Sequence, residues 1–322
     1  MSTKNKTNQK KQYIFGPVPS RRLGRSLGVD IVPFKVCSLD CVYCQLGRTT
    51  EKTIERKDYV PIDEVISELN ERLNSGIEAD YITISGSGEP TLHSRLGELL
   101  DRIRLITKIP IAILTNSVLF DDESVRADCC KADVVLPSLD AADQPTFERI
   151  NRPCANISIE NVISGLCEFK KQFTGRIWLE VFIVEGINTS PQQIDKLKAA
   201  VERIKPDKVQ LNTAVRPTAD NNIIMVTRVR LEQLAELFGD NAEVIADFSA
   251  AQVSKHIARK SEDVLEMLKR RPCSLNDICN GLSMPPNEVI KHIEFLRARG
   301  LIETSSKSGV LFYRPTPSQP IK

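Results

Sequence analysis

The sequence predicts an α/β fold: a parallel sheet with helical crossovers, followed by a small separate domain. Three observations predict it. Between residues 26 and 245, short β-prone runs alternate with amphipathic helical stretches, the pattern of strand–helix units. The connections are long enough to hold helices, as crossovers between parallel strands require. Near Ala251 the alternation ends, and helices closing on a hairpin pattern take over.

The elements follow in order. Residues 1–14 read as a disordered basic tail, since Met1 to Lys11 is polar and lysine-bearing. Gly16-Pro17-Val18-Pro19-Ser20 is extended, because each proline biases its predecessor away from the helix. Arg21-Arg22-Leu23-Gly24-Arg25 leads into the first strand, Ser26 to Pro33, and a cysteine-bearing loop then runs through Thr50. The helix Ile62 to Asn74 sets Ile62, Val65, Ile66, Leu69 and Leu73 on one stripe at helical spacing. Tyr81 to Ser85 is a strand, and Leu96 to Ile106 a helix with Leu96, Leu99, Leu100, Ile103 and Ile106 inward. Ile111 to Thr115 is again strand, and Asp122 to Cys130 a helix opened by acids. Asp133 to Leu136 is a buried strand and Ile159 to Phe173 a helix. Arg176 to Val184 is β-prone throughout, and a helix follows from Pro191 to Ile204. Lys208 to Leu211 is a strand, Arg228 to Phe238 a helix, and Glu243 to Ile245 the last strand. These make six strand–helix units in a core at residues 15–250.

The small domain covers residues 256–316. His256 to Arg271 is an amphipathic helix through Val264, Leu265 and Leu268, stopped at Pro272. Ser274 caps a second helix, Leu275 to Cys279. The third, Asn287 to Arg299, turns Val289, Ile293 and Leu296 inward and ends at Gly300 as a C-cap. Leu301 to Thr304 and Val310 to Tyr313 form a hairpin. Three helices and a hairpin in this span resemble a winged helix-turn-helix.

Composition narrows the function. Apolar residues make up 41% of the 322, which predicts a packed core. No run approaches the roughly 20 apolar residues that cross a bilayer, so no membrane partner is expected. Nine cysteines with no apolar export segment point to a reducing cytoplasm rather than a disulfide framework. Residues 1–25 carry seven Lys/Arg and no acid, and the C-terminal domain is also basic, which weakly directs any polyanion toward the ends.

The chemistry centres on Val36-Cys37-Ser38-Leu39-Asp40-Cys41-Val42-Tyr43-Cys44. Three thiolates at C-x3-C-x2-C spacing suit zinc, Cu(I) or iron–sulfur iron. Structural zinc wants four protein ligands, and no fourth Cys or His stands close in sequence. A [4Fe–4S] cluster held by three cysteines instead keeps one iron open for chemistry. A zinc knuckle with a remote fourth ligand is the rival reading. The spacing, with Tyr43 before the last cysteine, resembles the radical S-adenosylmethionine (SAM) superfamily. The Gly16-Pro17-Val18-Pro19-Ser20-Arg21-Arg22-Leu23-Gly24 lead-in and Cys41-Val42-Tyr43-Cys44-Gln45 resemble its branch of wyosine-synthesis enzymes. That branch carries an extra cysteine triplet before the core, and no cysteine precedes Cys37 here.

The resemblance implies a partial (β/α)6 barrel, a [4Fe–4S] cluster on Cys37, Cys41 and Cys44, and bound SAM. It further implies reductive cleavage of SAM to methionine and a 5′-deoxyadenosyl radical, and a flavodoxin- or ferredoxin-like electron donor. In parallel α/β barrels, functional residues gather where strands end. After the second strand, Gly88-Glu89-Pro90 resembles the family's Gly-Gly-Glu-Pro motif for the SAM amino group, with Ser87 where the motif has its first glycine. Asn116 after the third strand, and Ser138 and Asp140 after the fourth, resemble SAM-facing positions; Tyr43 is expected either to pack on adenine or simply to cover the cluster. Glu185, Gly186, Asn188, Asn212 and Arg216 stand at the later strand ends. No residue stands out as an acid–base catalyst, and His93 reads as a cap. Cys129, Cys130, Cys167, Cys273 and Cys279 are expected on helices in the core, whereas Cys154 lies in a loop that faces substrate in the sharper reading.

Two functions compete. The first is a radical SAM enzyme whose small domain recruits an RNA or protein substrate; activation of a glycyl-radical partner is a variant of it. The second is an iron–sulfur-sensing winged-helix transcription regulator. Glu89, Asn116 and the strand-end polar groups favour the enzyme, because a sensor needs only the cluster.

Overall fold

The computed structural model describes residues 12–246 except 217 and 221, and residues 261–316 except 270, 283, 308 and 309. They form two compact units, one holding residues 14–246 and one holding residues 261–316. Most of the expected basic tail lies outside the described residues, but Ile14 does not belong to it. Its side chain is fully buried at the start of a strand, so the ordered core begins there.

The first unit opens with an antiparallel pair, β1 (Ile14–Ser20) and β2 (Gly24–Val29). Pro17 and Pro19, which cannot donate to a ladder, are tolerated because β1 is the sheet's edge. The cysteine loop then contributes a small parallel pair, β3 (Val36–Cys37) and β4 (Glu51–Lys52). From α1 (Ile62–Asn74) the alternation runs β5 (Tyr81–Ile84), α2 (Leu96–Ile106), β6 (Ile111–Thr115), α3 (Glu123–Cys129) and β7 (Val134–Pro137). It continues through α4 (Gln144–Ile150), α5 (Ile159–Gln172), β8 (Arg176–Ile183), α6 (Pro191–Ile204), β9 (Lys208–Thr213), α7 (Arg228–Glu236) and β10 (Ala242–Val244). Residues 144–150 are a correction: the sequence pattern shows no helix between the strand at 133–136 and the helix at 159–173, yet one forms here. Asp143 caps them by accepting from the Thr146 N–H, with Pro145 in the first turn.

The sheet order is β1-β2-β5-β6-β7-β8-β9-β10, and every pair from β2 onward is parallel. The order never reverses, whereas a doubly wound sheet reverses at its switch point. β1 and β10 do not pair with each other, so the winding is a partial barrel. One buried cluster joins Leu23, Ala112, Val134, Leu136 and Trp178. These are alternate residues of β6, β7 and β8 with a residue of the β1–β2 turn, so they share the inner face near the strand starts. The opposite strand ends are left to polar groups.

The second unit has α8 (residues 261–269), β11 (Cys273–Ser274), α9 (Leu275–Leu282), α10 (Pro286–Ala298), β12 (Ile302–Lys307) and β13 (Val310–Pro315). Its sheet is antiparallel in the order β11-β13-β12. Val264, Leu268, Ile278, Val289, Ile293 and Leu296 make its core. Ser274 and Asp277 exchange side-chain and backbone hydrogen bonds at the start of α9, a reciprocal capping arrangement. Gly300 follows α10 at φ 66°, the left-handed stop that glycine supplies. Cys273 sits on a strand rather than a helix, and Cys130 is the residue capping α3. The start of the expected helix, His256 to Lys260, lies outside the described residues.

Candidate active site at the strand ends

Cys37, Cys41 and Cys44 occupy the loop after β2, all three partly buried and free of disulfides. Each sulfur receives a side-chain N–H donor, and the three donors come from separate parts of the chain; the Leu39 backbone N–H also bonds Cys37. Lys35 Nζ donates to Cys44 Sγ at 3.1 Å. Asn116 Nδ2, just after β6, donates to Cys37 Sγ at 3.4 Å, and Asn151 Nδ2, just after α4, to Cys41 Sγ at 3.4 Å. Burial pushes the Cys37 thiol up to about 12 and Cys41 well above its ordinary value. Burial therefore makes a thiolate costly at Cys37 and Cys41.

Among the described residues, no three His, Cys, Asp or Glu side chains close on a single ion. The thiols are spread along one loop, which suits ligands to separate irons of a cluster and not one tetrahedral zinc. Three partly buried cysteines, each met by a donor, fit a [4Fe–4S] cluster, with hydrogen bonds to sulfur of the kind that tune such centres.

The turn after β5 is built for close approach. A Cβ on Gly88 would lie 2.1 Å from the Val36 carbonyl oxygen, so only glycine lets this turn pack on the cysteine loop. The Glu89 N–H donates to that same carbonyl at 3.1 Å. The Glu89 carboxylate is buried and takes four donors: the Thr91 N–H and hydroxyl, the Thr115 hydroxyl, and the Asn116 N–H. Burial raises its pKa, and these bonds oppose the rise. The carboxylate thus clamps the β5 and β6 ends together, while Gly88 and Pro90 set the turn.

Asp140 is the second hub. Its carboxylate accepts from the Tyr43 hydroxyl, from Asn151 Nδ2 at 2.6 Å and from the Phe182 N–H at 2.9 Å. Burial lifts it to about 6. Asn188 Nδ2 reaches the Asp140 carbonyl at 2.8 Å. Ser138 lies beside it, pairing with Glu180 across β7 and β8. Tyr43, Asn116, Ser138, Asp140 and Asn151 line one small cavity. The structure therefore brings together the cysteine loop and the residues singled out at 43, 116, 138 and 140. Arg216 stands off, at 3.5 Å from Gln45 Oε1. Cys154 donates its backbone N–H to the Ser38 carbonyl, beside the cysteine loop. His93 is buried, takes the Arg95 N–H on Nδ1 and contacts the Val60 carbonyl through Nε2, a structural role.

Sequence reasoning missed Lys35, Asn151 as a sulfur donor, and Phe182. Asn151 follows a stretch with no helical stripe in its sequence, and the end of α4 aims it. Phe182 read only as a strand residue, since its partner Tyr43 is distant in sequence.

The model for the radical SAM superfamily matches residues 31–204, more than half of the chain. A Helicobacter pylori UPF0026 protein (strain J99) is 31% identical over 93% of this chain and 96% of its own length. A protein of Brachyspira hyodysenteriae named GTPase Obg is 37% identical over 96% of this chain, which spans only 46% of that relative. This chain has no G-x-x-x-x-G-K-[ST] phosphate loop. Among solved structures, TYW1 with a lysine-pyruvate adduct aligns at TM-score 0.51 and 19% identity, covering 68% of this chain and 74% of that one; this likeness concerns the fold alone. The chain belongs to the radical SAM superfamily, whose members are enzymes that use a [4Fe–4S] cluster and SAM. Among the described residues no helix is long and apolar enough to cross a membrane.

Proposed function

We propose that the chain is a radical SAM enzyme acting on a macromolecular substrate, RNA or protein, that the C-terminal unit recruits in the manner of a winged helix. The observation that carries the reading is the set of three loop thiols, each met by a separate N–H donor. A [4Fe–4S] cluster held there would supply the electron for reductive cleavage of SAM, the chemistry that would generate a 5′-deoxyadenosyl radical for hydrogen abstraction from substrate. Cys37, Cys41 and Cys44 hold the cluster. Gly88 and Pro90 set a backbone turn against the cysteine loop for the SAM amino group, and Glu89 fixes that turn from below. Asn116, Ser138 and Asp140 present polar groups to the rest of SAM, and Tyr43 closes the cavity. A flavodoxin- or ferredoxin-like protein supplies the electron.

The regulator reading is not favoured, because Glu89 and Asp140 organise strand ends that a sensor does not need. α10 carries Lys291 and Arg297, with Arg299 capping its end, beside Glu288 and Glu294, a mixed face unlike a strong phosphate binder. The deciding experiment is anaerobic reconstitution followed by SAM and dithionite, with 5′-deoxyadenosine quantified and Cys41→Ala as control. Product that disappears in the variant supports the reading. A zinc-loaded, iron-free protein that makes none in the presence of cell RNA and protein sinks it.

A further inference from the structure

Lys35 is a buried cation without a carboxylate. The residue is 3% exposed. Its backbone sits at φ 60°, a left-handed conformation uncommon for a residue with a Cβ. Backbone bonds hold it there. The Lys35 N–H donates to the Ser87 carbonyl at 2.7 Å, and its own carbonyl accepts from the Thr50 and Glu51 N–H groups. Lys35 thus ties the turn after β5 to both ends of the cysteine loop, and its ammonium meets Cys44 Sγ at 3.1 Å.

No carboxylate pairs with this ammonium among the described residues. Asp40 feels its charge but is bonded instead by the Arg48 guanidinium and the Thr49 N–H. Burying an unpaired ammonium is expensive. Three thiolates holding a [4Fe–4S] core leave the assembly negatively charged, and one-electron reduction adds another negative charge. A fixed ammonium that also donates to a ligand sulfur stabilises the reduced form more than the oxidised one.

We infer that Lys35 sets the redox poise of the cluster on Cys37, Cys41 and Cys44, raising its reduction potential through Cys44 Sγ. The inference rests on the reading that these cysteines hold a cluster. Asn116 and Asn151 donate to the other two sulfurs as neutral amides, so Lys35 is the charged member of the set. The step concerned is a one-electron reduction, with dithionite as donor in the assay and no bond made or broken.

The test is an anaerobic potentiometric titration of full-length protein, followed by electron paramagnetic resonance of the reduced cluster. In Lys35→Met the reduced-to-oxidised ratio at a given potential is expected to fall about tenfold, a shift of about 59 mV to the negative for one electron. Lys35→Arg is expected near wild type, and Lys35→Gln, which keeps an N–H donor without charge, between the two. Lys35→Met clusters that titrate with wild type overturn the inference, including when fewer of them form. Where Lys35→Met takes up no cluster, Lys35→Gln decides: a negative shift supports the inference and wild-type behaviour overturns it. A wild-type protein that takes up no cluster overturns the cluster reading and this inference with it.

Discussion

Tyr43 lies flat on Phe182, ring centroids 3.8 Å apart and planes 7° from parallel. One ring stands between Cys41 and Cys44, the other on β8, 139 positions later in the chain. The same tyrosine donates its hydroxyl to Asp140, which in turn accepts the Phe182 N–H. The cysteine loop is therefore fastened to the sheet by a ring contact and a hydrogen bond at one place. Phe182→Ala removes a buried ring and is expected to cost about 3–5 kcal/mol, with Phe182→Leu costing less. Urea denaturation of the apo protein measures this, and iron bound per chain after reconstitution should fall in the same order.

Glu89 serves the fold before it serves any ligand. Glu89→Ala strands four donors from Thr91, Thr115 and Asn116 in a dry interior. A loss of about 1–3 kcal/mol is expected for each donor left buried without a partner. Glu89→Gln keeps an acceptor and should cost less than half as much as Glu89→Ala. Unchanged stability of the apo Ala variant would refute the clamp.

Gly88→Ala tests the close approach of the two loops. The new methyl meets a backbone oxygen, which cannot swing aside as a flexible side chain would. Overpacking of this kind costs about 1–3 kcal/mol. SAM affinity, measured by calorimetry on reconstituted protein, is expected to fall at least tenfold because the turn proposed to hold its amino group must shift.

Asp30 carries a pH signature. Its carboxylate accepts from the Ser87 N–H at 3.0 Å and the Ser87 hydroxyl at 2.5 Å, and burial raises it to about 6. The unfolded chain titrates near 3.9. Between these values the folded state binds more protons, so this contribution is full below about pH 4, declines as pH rises through 6, and is flat above. Asp30→Asn removes the dependence. The stability of wild type minus that of the variant should fall by about 2 kcal/mol from pH 4 to pH 7. A flat difference would show that Asp30 is not held protonated.

The strand–helix rhythm could be read from sequence because each element carries its own period. α1, α2, α6 and β6 lie where the spacing of apolar residues put them, since amphipathic stripes depend on residues only three or four apart. The cysteine triplet was legible for the same reason: three ligands on one short loop need no distant partner. α4 escaped because seven residues with a proline and two charges show no sustained stripe, and their helix is stabilised by capping and by Phe147 and Ile150 in the core. Cys273 escaped because a two-residue strand exists only through its pairing with β13.

By itself the sequence determined the number of strand–helix units, the change of pattern near Ala251 and the three thiols on one loop, all local properties. Tertiary structure decided what surrounds those thiols. Asn116, Asn151 and Lys35 reach three different sulfurs from three different parts of the chain, and Glu89 turns its carboxylate to the β6 end. A hydrogen bond across 79 or 110 positions leaves no period in the sequence. It forms because the parallel winding brings successive strand ends to one face, where buried polar groups must find partners.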